Sequence, residues 1–345
     1  MLKPRTFLIF VLALLLIAGL WWARTHVAFD WHNLRLQLRT VRWSFVLAGC
    51  AVIYLSMTFR AWRWQLLLGS EGRNSSGAKL VAAQFAGFTA VALFGRVADL
   101  TRPYLLARRT QTSVATQLAV YSLERAYDLA AAAILFSTTL LFMPRTVPHH
   151  EYYVRAGVVA MAGTLFLVGF ALAVRFTGMQ LASMARGVFR IVSQEFANGV
   201  AVKLLDFRQG MLALSSAMQL FAALLWSLAI WALIAAAYFL TARAFVNTAQ
   251  LAGFTIASTM LLMATSMGGS LFQLPIVGWF TQTGVLAVAL HKFFDVPLEV
   301  ATAAGALMLL TTTLSVVPAG VMAARIEGVS LRTAAQAGEA AAEVS

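Results

Sequence analysis

Apolar residues come in runs near twenty residues, separated by short clusters of charge, glycine and serine. At 1.5 Å of helical rise per residue, such runs match the hydrocarbon core of a bilayer. The first run, Phe7–Ala23, carries no charge and follows Lys3 and Arg5. Trp21 and Trp22 stand where small signal-cleavage residues belong and suit an interfacial aromatic belt. An uncleaved first helix with its N-terminus inside is therefore expected. Phe29–Arg42 places Trp31, Leu34, Leu38 and Val41 on one helical stripe, with Arg35, Arg39 and Arg42 elsewhere, as an interfacial helix would. Leu34, Leu36 and Leu38 also alternate with polar residues, so the pattern leaves a strand open. A span over Trp43–Phe59 ends in the basic aromatic cluster Arg60-Ala61-Trp62-Arg63-Trp64.

After a Gly/Ser-rich turn at Gly69–Gly77, the apolar segment Leu80–Phe94 stops at Gly95-Arg96-Val97-Ala98-Asp99-Leu100-Thr101-Arg102-Pro103. A long helix over Thr112–Met143, about 48 Å at 1.5 Å per residue, carries Glu124, Arg125 and Asp128. Ala156–Val174 is a further span, and the basic, amphipathic Arg175–Arg208 reads as a cytoplasmic linker. Met211–Ala242 is uncharged; Ala244–Leu290 is uncharged but broken at Gly268-Gly269 and Pro275; Val300–Ala324 is the last span. If every run simply crossed, the basic linker would lie outside, against the positive-inside rule. A first broken segment that dips in and returns removes the conflict. The expected fold is thus all-α: a polytopic transmembrane helix bundle with two broken, re-entrant segments in inverted halves. One integral domain divides into 1–42 (anchor and interfacial segment), 43–143 (first half), 144–210 (span and linker), 211–324 (second half) and 325–345 (tail). Paired broken segments in inverted halves point to a transporter-type midplane site.

Composition sharpens the membrane reading. Hydrophobic residues are 61% of the 345 and charged residues 11%, too few charges to cover a water-facing surface. A multi-pass protein of the cell inner membrane, both termini cytoplasmic, is expected. The net charge of +13 fits cytoplasmic loops and anionic lipid surfaces better than nucleic acid, for which there is no basic soluble domain. Cys50 is the single cysteine and cannot form an internal disulfide. The five histidines are scattered, so no metal and no cofactor is predicted.

Charges inside a membrane cost about 2.5–3.5 kcal/mol each on insertion scales and are usually functional. Glu124 and Asp128 share a helix face with Tyr121, and Arg125 is spaced to pair with Asp128. They form either a packing network or, functionally, a charge relay or a head-group contact. Arg96, Asp99 and Arg102 lie at the first break, where freed backbone N–H groups favour anions and arginine forks suit phosphate. Arg60 and Arg63 read first as interface anchors and second as ligands. Gly268, Gly269, Pro275 and Gln282 at the second break line either a polar path or a kinked helix pair. No catalytic residue is assigned.

The series Arg60-Ala61-Trp62-Arg63-Trp64, Gly95-Arg96-Val97-Ala98-Asp99-Leu100-Thr101-Arg102, Glu124-Arg125-Ala126-Tyr127-Asp128 and Leu274-Pro275 through Gln282 resembles the lysylphosphatidylglycerol synthase transmembrane region, also called the flippase-like integral membrane family. The resemblance spans roughly Phe7–Ala324. It implies movement of a lipid between leaflets, or a role beside envelope glycolipid or aminoacyl-lipid synthesis. Asp99 stands where the family often has Glu. Ile276 and Val277 replace its usual glycines, and Gln282 stands at an acidic position. The soluble aminoacyltransferase domain of some relatives is not in this chain. No Gly-x-x-x-x-Gly-Lys-Ser/Thr loop is present. The reading is binding and translocation of an anionic or polyprenyl-phosphate-linked envelope lipid. The alternative is an accessory subunit or membrane enzyme of envelope lipid synthesis that moves no lipid. Expected partners are membrane lipids with phosphate-bearing head groups and envelope lipid-synthesis enzymes.

Overall fold

The computed structural model describes residues 31–69, 76–142, 150–191, 193–212, 217–269, 277–326, 328 and 330. The N-terminal span Phe7–Ala23, Pro275 and most of the tail lie outside them. The described elements are helical throughout. The interfacial segment is helix α1 (Trp31–Thr40), which settles the helix–strand ambiguity. Then come α2 (Trp43–Leu67), α3 (Gly77–Phe94) and, after a 3₁₀ turn at Arg96–Leu100, α4 (Thr101–Thr110). The long helix is α5 (Val114–Leu141), capped by the Ser113 side chain accepting from the Thr116 N–H. Next are α6 (His150–Phe189), α7 (Gln194–Leu212) and α8 (Ala217–Arg243). The broken second segment becomes α9 (Ile256–Gly269) and α10 (Val277–Phe294), followed by α11 (Leu298–Thr312) and α12 (Val317–Ile326).

Five of these helical stretches are long and apolar enough to cross a membrane: Trp43–Leu67, Gly77–Phe94, His150–Phe170, Met218–Arg243 and Leu298–Ile326. The protein is an all-α, multi-pass membrane protein. On α6, Val158, Val159, Leu165, Phe166 and Leu167 are exposed, as lipid-facing residues would be.

Three boundaries differ from the sequence expectation. Helix α2 does not stop at Phe59 but carries the basic aromatic cluster in its last two turns. The expected linker Arg175–Arg208 is the end of α6 and most of α7, with a bend at Thr177, where φ is −118° and ψ 20°. The last span is broken: a 3₁₀ turn at Leu314–Val316 separates α11 from α12. Side chains from the first half satisfy the carbonyls this break frees. Tyr54 donates its hydroxyl to the Ser315 carbonyl at 2.9 Å and Thr89 donates to that of Val316 at 3.3 Å.

The first broken segment is a helical hairpin. Gly95, at φ +78°, makes the reversal, in a region of backbone space open mainly to glycine. Helix α4 then returns along α3. A Cβ on Gly87 would lie 2.7 Å from Cβ of Arg102, so only glycine admits this approach. At the hairpin's foot Arg109 donates to the Lys79 carbonyl at 3.5 Å. Helices α9 and α10 also pack on each other. The two hairpins meet where the Trp279 indole N–H donates to the Ala92 carbonyl at 2.8 Å.

Helices α2 and α8 pack together at the centre, with Gly49 of α2 against Thr241 and the Ala237 carbonyl of α8 and against Thr311 of α11. Around that pair the contacts come in matched sets. Helix α2 touches α3 as α8 touches α9; α5 touches α8 as α11 touches α2; α4 touches α5 as α10 touches α11.

Candidate functional site: a charged cavity between two helix hairpins

Arg60 and Arg63 are three apart on α2, on the face turned to α5. Glu124 and Asp128 are four apart on α5 and answer them. Arg63 donates from Nη1 to Asp128 Oδ1 at 2.6 Å and from Nη2 to Glu124 Oε1 at 2.5 Å. Its Nη1 also reaches the Ser227 hydroxyl of α8 at 2.6 Å. Arg102 of α4 comes from the other side: Nη1 is 3.1 Å from Glu124 Oε1, Nη2 is 2.8 Å from Oε2, and Gln84 of α3 accepts at 3.2 Å. Arg63 and Glu124 are 0% exposed and Arg102 2%. Two carboxylates thus tie α2, α4 and α5 together inside the bundle, and Arg63 adds α8 through Ser227.

Aromatic faces complete the seat of Arg102. Its guanidinium lies over the rings of Phe88, Trp64 and Tyr121 at 4.9, 5.0 and 5.4 Å. Trp64 is fully buried and donates its indole N–H to Gln117 at 2.7 Å. Gln117 in turn donates to Thr110 and Thr112, fixing the turn from α4 into α5.

Arg60 is held more loosely. Its Nη1 is 3.7 Å from Glu124 and 3.6 Å from Asp128, and its buried Nε has no partner. It is one wall of a cavity of about 340 Å³, at the lower end of ligand-pocket sizes. Asp99 and Arg125 line the same space, as do Tyr238, Ser266 and Gln282 from the second half. Tyr121 donates to Asp99 at 2.6 Å, and Arg125 stands over the Tyr121 ring at 4.9 Å. Among the described residues, Arg60, Arg63, Arg102 and Arg125 face Asp99, Glu124 and Asp128: one positive charge in excess. Across the cavity Tyr238 and Ser266 share a hydrogen bond of 2.9 Å, and Gln282 lies 3.5 Å from Ser266.

Several sequence expectations change here. Arg60 and Arg63 are not interface anchors but are buried in the network. Their helix runs on past Phe59, so the cluster that looks interfacial lies inside. Asp128 is paired with Arg63 and Arg60 from another helix, rather than with Arg125 three residues before it. Glu124 meets its arginines across helices, Arg102 among them. Arg96 opens the 3₁₀ turn, but its side chain lies outside the described residues. Gly268 and Gly269 end α9, beyond Met267 on the cavity wall; Pro275 lies outside the described residues. Gln84, Ser227 and Tyr238 were not singled out in the sequence. The available signal was a polar side chain within an apolar helix.

A family model, that of the lysylphosphatidylglycerol synthase TM region, matches the chain over residues 7–320. The chain belongs to this family. Its matched region takes in every helix of the cavity. No curated protein and no solved structure matches the chain. Membership in the family goes with lipid synthesis or lipid translocation at the membrane.

Proposed function

We propose that the protein binds an anionic or polyprenyl-phosphate-linked envelope lipid by its phosphate and carries the head group between leaflets. The observation that carries this reading is the excess positive charge on the cavity wall, with Arg60 and Arg125 lining the space and Arg60 Nε unpartnered. A phosphate entering there meets arginine N–H groups, the natural donors for it, in a site of low dielectric. The carboxylates below hold the wall in place and leave one positive charge uncancelled. The cavity admits a head group; the acyl chains stay in the lipid.

The matched contacts around α2 and α8 support two inverted halves, each with one hairpin. Rocking one half against the other opens the cavity to either leaflet in turn. In this reading the α3–α4 hairpin is re-entrant from the cytoplasm, the termini are cytoplasmic, and the membrane is the cell inner membrane. Any energy comes from ion coupling or from consumption of the lipid downstream.

The test is translocation of labelled lipids in proteoliposomes. The wild type speeds the crossing of an anionic phospholipid. The Arg60→Ala, Arg125→Ala double variant, present at normal levels, does not. Wild-type rates in that variant contradict the proposal.

A further inference from the structure

The wall facing Arg60 and Arg125 has a different chemistry. Tyr238 of α8, Ser266 of α9, Gln282 of α10 and Thr312 of α11 line it, four polar side chains without a formal charge. Tyr238 and Ser266 bond each other at 2.9 Å. The Gln282 amide reaches Ser266 at 3.5 Å, while its other end, Oε1, is buried without a partner. Gln282 as a whole is 7% exposed. A buried acceptor with nothing to accept costs stability unless a ligand supplies the donor. Met57 and Met263 offer no such donor, and Trp231 of α8, on the same cavity, has a buried indole N–H that is likewise without a partner, so the space holds an orphan donor as well as an orphan acceptor.

From this second wall we infer a subsite for a neutral hydroxyl-bearing group, so that the ligand is a phosphodiester with a polyol or sugar head. This rests on the phosphate reading above. A hydroxyl donates to Gln282 Oε1 and accepts from Ser266 or Tyr238, while the phosphate sits at Arg60. The same wall disfavours a cationic head group. It holds no carboxylate among its described residues, and on the opposite wall Asp99, which accepts from Tyr121, is outnumbered by Arg60 and Arg125. The protein therefore discriminates against an aminoacylated lipid.

The purified full chain is titrated in nanodiscs with four probes: phosphatidylglycerol, a polyprenyl-phosphate-linked hexose, phosphatidylethanol and lysylphosphatidylglycerol. The first two share a phosphodiester and hydroxyls, the third is a phosphodiester without hydroxyls, and the fourth adds a cation. At least one of the first two binds about tenfold more tightly than both others, as two neutral hydrogen bonds provide; which one does so identifies a glycerol or a sugar source. Gln282→Leu collapses this preference. Gln282→Glu, which puts a carboxylate into the subsite, shifts it toward lysylphosphatidylglycerol. Equal binding of all probes, or a preference unchanged in Gln282→Leu, overturns the subsite. Loss of all phosphate-lipid binding in the Arg60→Gln, Arg125→Gln double variant with either of those results leaves the phosphate reading standing. Retained binding in that double variant overturns the phosphate reading itself.

Discussion

Arg60 and Arg63 carry the same charge on the same helix face and do different work. Arg63 is sealed by three bonds to Glu124, Asp128 and Ser227. Removing one partner of such a buried pair leaves an unpaired charge, at a cost of about 3–5 kcal/mol. Arg63→Ala should therefore lower the thermal unfolding midpoint in detergent sharply, and adding Asp128→Asn should restore part of it. A midpoint within error of wild type for Arg63→Ala would remove the network from the stability account. Arg60 sits at the cavity with longer contacts, and Arg60→Lys should keep the fold while weakening lipid transport, because lysine lacks the planar fork. Equal transport by Arg60→Lys, measured in proteoliposomes, would argue against a forked phosphate contact. The charges are legible along the chain but this division of labour is not: spacing says which residues share a face, and only the partner helices decide which are buried. Asp128 shows the limit. Arg125 stands at the right spacing, yet the arginines that hold Asp128 lie more than sixty residues away in the chain.

The hairpin of α3 and α4 is where residue chemistry becomes element geometry. Gly87 lets α4 lie close enough for Arg102 to reach Glu124. Gly87→Val should push α4 away, break that ion pair and destabilise the protein. Gly163→Val, on α6 with nothing within 4 Å of its Cβ direction, should change the midpoint far less. Matching midpoints for the two variants would mean the hairpin tolerates the displacement. The breaks at Gly95 and after Gly269 were legible because glycine and proline interrupt apolar runs. The break between α11 and α12 is marked only by Pro318, in the first turn of α12, where proline starts a helix; no glycine or charge interrupts the apolar run at Thr313-Leu314-Ser315. The longer reach of α2 was hidden by Arg60 and Arg63 for a physical reason. Charges end a span in a hydropathy reading, and here they are neutralised within it.

At the scale of the molecule, the two hairpins meet at the Trp279–Ala92 bond and enclose one cavity. Residues picked from separate motifs, Arg60, Asp99, Arg125 and Gln282, converge there, while Glu124, Asp128, Arg63 and Arg102 form its support. What sequence pattern could not supply is the pairing of α2 with α8, which joins the close approach at Gly49 to the contacts of Phe59 and Trp62 with Trp226 and to the Arg63–Ser227 bond. Topology gives a prediction at this scale. On a Cys50→Ser background, cysteines at Ala78 and Arg108, both exposed at the foot of the first hairpin, should react with an impermeant maleimide from the same, cytoplasmic side. Labelling from opposite sides would make α3 a simple crossing and would break the matched halves.

The central claim is that a lipid head group enters the cavity between the hairpins. Crosslinking from a phosphatidylglycerol analogue with a photoreactive head group, followed by peptide mapping, tests it most directly. Adducts on Met57 of α2 and on Met263 or Met267 of α9, lost in Arg60→Gln, are the predicted result. Adducts confined to the exposed face of α6, and unchanged in Arg60→Gln, would contradict it.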